Sequence, residues 1–85
     1  LSKANLQKAN MSNTSIIEAN LQGADLTNAI LLQSNLQNAN LSGTNLSNTN
    51  LNHSFIVQGN LKGANLNNAK LMQSNLQETN LTGAN

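Results

Sequence analysis

A large apolar residue recurs at every fifth position, and this period constrains the fold more than any other feature of the sequence. Cut from Leu1, the 85 residues divide into seventeen pentads without insertion or deletion. The first position is Leu in fourteen pentads, the fourth is always Ala, Thr, Ser or Gly, and the fifth is Asn in twelve. Neither the 3.6-residue period of a helix nor the two-residue period of a strand gives this spacing. The heptad of a coiled coil is excluded as well.

A chain that turns a corner every five residues satisfies this pattern. Each pentad then forms one side of a polygon, with its first and fourth residues inside and the others outside. Successive coils would stack at about 4.8 Å, the spacing of hydrogen-bonded strands. The pattern therefore predicts an all-β solenoid whose interior is a ladder of Leu side chains.

The third position of each pentad indicates how many sides the polygon has. Gly and Asn recur there at intervals of twenty residues, so we expect four pentads per coil, hence four coils and one extra side. Gly and Asn favour type II turns, which need a positive φ, whereas the Gln and Glu of the remaining columns favour type I turns. Two kinds of corner are therefore expected. The two columns are Gly23, Gly43, Gly63 and Gly83, and Asn28, Asn48 and Asn68.

Residues 24–28 read ADLTN and residues 64–68 read ANLNN, and both match the A(D/N)LXX motif. The chain thereby resembles the pentapeptide-repeat protein family over its whole length. This resemblance implies a right-handed quadrilateral parallel β-helix. We expect residues 1–85 to be a single pentapeptide-repeat domain and a fragment of a longer protein.

Composition disfavours catalysis and ligand binding. The chain has no Cys and one His, and only 8% of its residues are charged. His53 falls on a corner, and no nucleophile, base or paired carboxylates come together. We therefore expect no enzyme activity, no metal site and no cofactor. The net charge of +1 gives no reason to expect nucleic acid or a membrane as partner. The sequence does not identify the cellular location; of the compartments, the cytoplasm is favoured.

The repeat is interrupted on a longer period. Residues 16–45 match residues 56–85 at a shift of forty, which is two coils. Ser, Ile, Phe and Lys replace Asn or Asp at the fifth position of four pentads, and an apolar residue follows two places after each. Two explanations stay open: a docking patch for a protein, or a duplicated two-coil unit carrying tolerated surface residues. The apolar patch comprises Ile17, Ile30, Leu32, Phe55, Val57 and Met72.

These observations predict a structural scaffold or a protein–protein interaction module. Its partner is an unidentified protein, or a second copy that associates through the open coil ends or the apolar patch. The alternative suggested by the resemblance is DNA mimicry directed at a topoisomerase such as DNA gyrase. DNA mimicry needs rows of negative charge, whereas this chain has three acidic residues and four lysines. Ice binding is also disfavoured, because most of the Thr residues are expected to point inward.

Overall fold

Four pentads make one coil of the solenoid. The computed structural model describes all residues, 1–85, as a right-handed quadrilateral β-helix. It contains no helix and no continuous strand. Instead, a single bridging residue at the fifth position of a pentad pairs in parallel with the residue twenty places on, as in Asn5 with Asp25 and Asn20 with Asn40. The predicted four sides are confirmed. Coils 1 to 4 are residues 1–20, 21–40, 41–60 and 61–80, and residues 81–85 form one more side.

Pentad 21–25 shows how every main-chain amide of a standard repeat finds a partner. Ala24 N donates to Leu21 O at 3.0 Å and closes the corner turn. The amides of Leu21 and Gly23 donate to the next coil, and the amide of Asp25 donates back to the preceding one, at 2.8 to 2.9 Å. The amide of Gln22 donates to the side-chain Oδ1 of Asn20 at 3.1 Å. Asn recurs at the fifth position because this side chain supplies an acceptor that the backbone lacks.

Removing one of these acceptors should destabilise the solenoid. Asn45 Oδ1 accepts from Ser47 N at 3.1 Å and from Ser47 Oγ at 2.8 Å. We expect Asn45→Ala to lower the free energy of unfolding by about 1–2 kcal/mol, because a half-buried amide loses its partner. Urea denaturation measures the change. The matched control is Gln22→Ala, which removes an exposed side chain and should change stability by less than about 0.5 kcal/mol. Equal losses in the two variants would contradict this account.

The corners are all of one kind. The third residue of every pentad has a positive φ, between 55° and 70°, including Gln33 at 58°, His53 at 60° and Glu18 at 61°. The expectation of type I corners at the Gln and Glu columns is therefore wrong. The peptide group between the second and third residues lies along the solenoid axis. Its N–H donates to the next coil, as Gln33 N does to Asn52 O at 3.0 Å. These stacked bonds override the modest preference of an individual side chain for negative φ.

The core is the predicted ladder of first-position side chains. Nine consecutive members, from Leu21 to Leu61, are at most 1% exposed, and the small fourth-position residues around them are also buried. Members in the first and last coils, such as Leu6 and Leu76, pack against this core and stay partly exposed. The inward assignment of the first and fourth positions is confirmed in the central coils.

Buried hydroxyls at the fourth position mostly bond to main-chain carbonyls. Thr44 Oγ1 donates within its own pentad, to Leu41 O at 2.7 Å, whereas Thr49 Oγ1 donates to Leu26 O of the preceding coil at 2.9 Å. Ser54 Oγ is buried without a partner. The fourth position of its pentad predicts that Thr14 points inward. It is exposed in the first coil, although its hydroxyl still donates to a main-chain carbonyl at 2.6 Å.

Gly59 is the one fourth-position residue without a side chain, and Ile56 explains it. A Cβ on Gly59 would lie 2.6 Å from Ile56 Cγ2 and 3.0 Å from Ile56 O. Ile56 is fully buried, and its branched methyl fills the space that a side chain at position 59 would need; Ile16, which is followed by Ala19, is only partly buried in the first coil.

This packing predicts coupling between the two positions. Gly59→Ala alone should lower the free energy of unfolding by about 1–3 kcal/mol through overpacking. Gly59→Ala combined with Ile56→Leu should recover most of the loss, because the pair then becomes the common Leu–Ala pair. A double-mutant cycle in urea measures the coupling, which we expect to exceed about 1 kcal/mol. Additive effects would show that the two side chains do not compete for one space.

Candidate functional site

In a standard pentad the amide of the second residue donates a hydrogen bond to the fifth-position side chain of the preceding pentad. The pentads that lack this bond are the unusual ones. Every Asn or Asp at a fifth position that has a pentad after it accepts this bond, at 3.0 to 3.2 Å. The twelve bonds run from Gln7 to Asn5, Ser12 to Asn10, Gln22 to Asn20, Thr27 to Asp25, Gln37 to Asn35, Ser42 to Asn40, Ser47 to Asn45, Asn52 to Asn50, Lys62 to Asn60, Asn67 to Asn65, Gln77 to Asn75 and Thr82 to Asn80.

The bond is missing where the apolar patch lies. The amides of Ile17, Leu32 and Val57 donate no hydrogen bond, because Ser15, Ile30 and Phe55 precede them in place of Asn. In the fourth such pentad the amide of Met72 donates instead to Asn52 Oδ1 of the neighbouring coil, at 2.8 Å. The sequence reveals that the two substitutions occur together, but only the structure shows that three outward amides lose their acceptor as a result.

Two adjoining faces carry these pentads. Face A consists of residues 9–12, 29–32, 49–52 and 69–72, and face B of residues 14–17, 34–37, 54–57 and 74–77. Bridges from Asn10 to Ile30 to Asn50 to Lys70 define the column on face A, and bridges from Ser15 to Asn35 to Phe55 to Asn75 define the column on face B.

The six residues of the apolar patch all reach the surface, to different degrees. Met72 is 65% exposed and Phe55 50%, followed by Ile17 and Ile30, while Leu32 and Val57 are half-buried. Along each face a polar residue lies between the coils that carry apolar residues. On face A this residue is Asn50, and on face B it is Asn35. The structure therefore places them on alternate coils of two neighbouring faces, as small apolar clusters and not as one continuous surface.

The other two faces are polar and hydrogen-bonded. On one of them the Asp25 carboxylate accepts from the Thr27 hydroxyl at 2.6 Å, from the Thr27 amide at 3.0 Å and from Gln7 Nε2 at 2.6 Å. These bonds hold the pKa of Asp25 below its ordinary value, with the Thr27 hydroxyl as the largest cause. Asp25 is therefore an ionised acceptor that substitutes for Asn, with no proton to donate near neutral pH.

A shallow open groove of about 750 Å³ follows the corner where the glycines stack, and no hydrophobic residue lines it. Lys3 and Lys62 lie along this groove. The amides of the three glycines that line it are already engaged: Gly43 N, for example, donates to Lys62 O at 2.8 Å. The glycines therefore offer an anion no free donor.

Groups for catalysis or metal binding are dispersed. No three His, Cys, Asp or Glu side chains come together as metal ligands. His53 is exposed at its corner, on a different side and coil from Asp25. Nothing in the structure has the form of a long apolar helix able to cross a membrane.

Comparison with known proteins identifies the same five-residue repeat. The family model described as pentapeptide repeats matches eight copies, over residues 1–31, 31–68 and 57–85. No curated protein sequence matches the chain.

Solved structures with this architecture include Rfr23, a pentapeptide repeat protein from the cyanobacterium Cyanothece 51142. It is 26% identical with a TM-score of 0.66, over 95% of this chain and 82% of that one. HetL, a pentapeptide repeat protein involved in heterocyst differentiation regulation in the cyanobacterium Nostoc sp. strain PCC 7120, is 26% identical with a TM-score of 0.59. That match covers 99% of this chain and 47% of HetL, so the chain spans about half the length of HetL.

Proposed function

This chain belongs to the pentapeptide-repeat family, and on that premise we propose that it is a non-enzymatic protein-interaction module. The solenoid is a rigid support, because backbone hydrogen bonds along its axis join every coil to the next. The apolar patch on faces A and B is the contact surface. The partner is a protein that covers these apolar side chains.

The observation that carries this proposal is the coincidence of two departures from the repeat. Apolar residues occur at second positions only in the four pentads that follow a fifth position without Asn or Asp, and in three of these, at Ile17, Leu32 and Val57, the second-position amide donates no hydrogen bond. A tolerated surface substitution would need only one of these changes. In three of the four pentads their combination removes a polar side chain and leaves a free donor at the same place, which suits a surface that becomes covered.

The charges give no comparable support for DNA mimicry. Glu18 and Glu78 lie on one corner column, three coils apart, and Asp25 is bonded within another face. Gln58 Nε2 also donates to Glu78 Oε2 at 3.0 Å. A DNA mimic would present closely spaced negative charges along its length.

Affinity capture from an extract of the source organism, with three baits, tests the proposal. The baits are the unmodified chain, the patch variant Leu32→Ser with Phe55→Ser, and a control variant Gln22→Ser with Asn67→Ser on the polar faces. We expect the unmodified chain and the control to retain the same protein, and the patch variant to retain about tenfold less, since the loss of two buried apolar contacts exceeds 1.4 kcal/mol. Circular dichroism checks that all three baits are folded.

Retention of the same proteins by all three baits would exclude faces A and B as the contact surface. Loss of the partner by the control variant alone would move the interaction to the polar faces. Either result would overturn the proposed role of the apolar patch.

A further inference from the structure

Face B presents two free second-position amides at a fixed spacing. The amides of Ile17 and Val57 make no hydrogen bond, and the bridges from Ser15 to Asn35 to Phe55 place them two coils apart on one face. At about 4.8 Å per coil, this separation is about 9.6 Å along the axis. The intervening Gln37 amide is occupied by Asn35 Oδ1 at 3.0 Å.

At the open end of the solenoid the carbonyls of Ser15 and Ile17 accept no hydrogen bond, but beside Val57 the main chain of face B offers a donor and no acceptor. The carbonyls of Ser54, Phe55, Ile56 and Val57 all accept hydrogen bonds already, from other coils or from the corner turn. A partner β-strand would bring amides that find no main-chain acceptor there. A partner α-helix would bring carbonyls already engaged within the helix. The complementary partner has free carbonyls and few amides, which is the chemistry of a proline-rich segment.

The spacing favours the same partner. A polyproline II helix has three residues per turn and a rise of about 3.1 Å per residue, so one side of it repeats every 9.3 Å or so, with its carbonyls unpaired. This repeat agrees with the two-coil spacing of about 9.6 Å. Equivalent positions on one side of a strand repeat every 6.7 Å or so, and one helical turn rises about 5.4 Å. Neither of these two repeats matches the two-coil spacing of the free amides.

We propose that face B binds a proline-rich segment of a partner protein in the polyproline II conformation. Its carbonyls, three residues apart, accept from the amides of Ile17 and Val57, and its rings pack against Phe55, Val57 and Ile17. Phe55 is half exposed beside the half-buried Val57 and supplies the aromatic contact on which such segments commonly dock. This inference rests on the proposed function and specifies the chemistry of the partner.

Nuclear magnetic resonance with a ten-residue polyproline peptide tests the inference. The peptide is titrated into the ¹⁵N-labelled chain, and a Gly-Ser peptide of equal length is the control. We expect saturable shifts centred on the Ile17 and Val57 amides, with their proton resonances moving downfield, and none with the control peptide. Absence of shifts, or shifts centred on the polar faces, would overturn the inference.

Phe55→Asn separates binding from folding. Asn is the usual residue at this position, and it would give the Val57 amide the acceptor found in the twelve standard pentads. We expect this variant to bind the polyproline peptide at least about tenfold more weakly, from the loss of one hydrogen bond and one aromatic contact, while its melting temperature is maintained or rises. Asn67→Ser, an exposed second-position change on a polar face, should bind as the unmodified chain does. Unchanged affinity in Phe55→Asn would refute the assignment.

The outcomes distinguish this inference from the proposed function. If affinity capture identifies a partner that needs Phe55 and Leu32 while the polyproline peptide does not bind, the interaction module stands and the proline-rich segment is wrong. Sedimentation tests whether a second copy of the chain occupies face B instead. A dimer that dissociates in Phe55→Asn and is unaffected by excess peptide would assign the face to a second copy and overturn the inference.

Discussion

Leu41→Ala is expected to lower the free energy of unfolding by about 2–5 kcal/mol, the range for Leu-to-Ala changes in a packed core. Leu41 is 1% exposed and lies in the middle of the nine fully buried ladder residues. Coils above and below hold its neighbours in place through axial hydrogen bonds, so little collapse into the cavity is possible. Equilibrium unfolding in urea, followed by circular dichroism, gives the change.

The matched control for this prediction is Met72→Ala. Met72 is of similar size and 65% exposed, so its truncation should change the stability by less than about 0.5 kcal/mol. A loss at Leu41 no larger than at Met72 would mean that the first-position ladder is not the stabilising core.

Gly43→Val is expected to lower the free energy of unfolding by about 1–3 kcal/mol. Gly43 has a φ of 65°, and a Cβ there would meet no atom within 4 Å. The cost therefore comes from the backbone alone, since a β-branched residue resists the left-handed region. Urea denaturation again measures the effect, and an unchanged midpoint would show that the corner can relax to negative φ.

Gln33→Gly is the companion variant, and the sign of its effect distinguishes the two corner types. At the observed φ of 58°, Gly relieves the strain of a side chain in the left-handed region, so stability should be unchanged or rise by up to about 1 kcal/mol. At a type I corner the same change would cost about 0.5–1 kcal/mol, because Gly there only adds freedom to the unfolded chain. A clear loss of stability would therefore support a type I corner at Gln33, as the sequence predicted.

The interior ladder was predicted correctly from the sequence, whereas the geometry of the Gln and Glu corners was not. The period of five, the four sides and the inward first and fourth positions all follow from side-chain size and polarity repeated seventeen times. Each of these features is set by local side-chain preferences that agree with one another, so the folded structure retains it. The six outward apolar residues were identified for the same reason, because they break a pattern that the rest of the chain keeps.

The candidate site could be predicted only in part. The sequence places Phe55 and Val57 outside, and it shows that apolar second positions follow non-Asn fifth positions. It gives no sign that this pairing leaves the Val57 amide without an acceptor, because the relevant bond joins a side chain to the main chain two residues on. The two-coil spacing of the free amides on face B likewise depends on the stacking of the coils.

The sequence by itself determined the repeat, the number of sides, the composition of the core and the outward position of the apolar patch, because each depends on which residues are large, small or polar. Only the tertiary structure decided the corner geometry, the pairing of Ile56 with Gly59 and the free donors of face B. The physical reason is common to all three. Individual preferences at these positions are worth about 1 kcal/mol, and axial hydrogen bonds and close packing shared among stacked coils outweigh them.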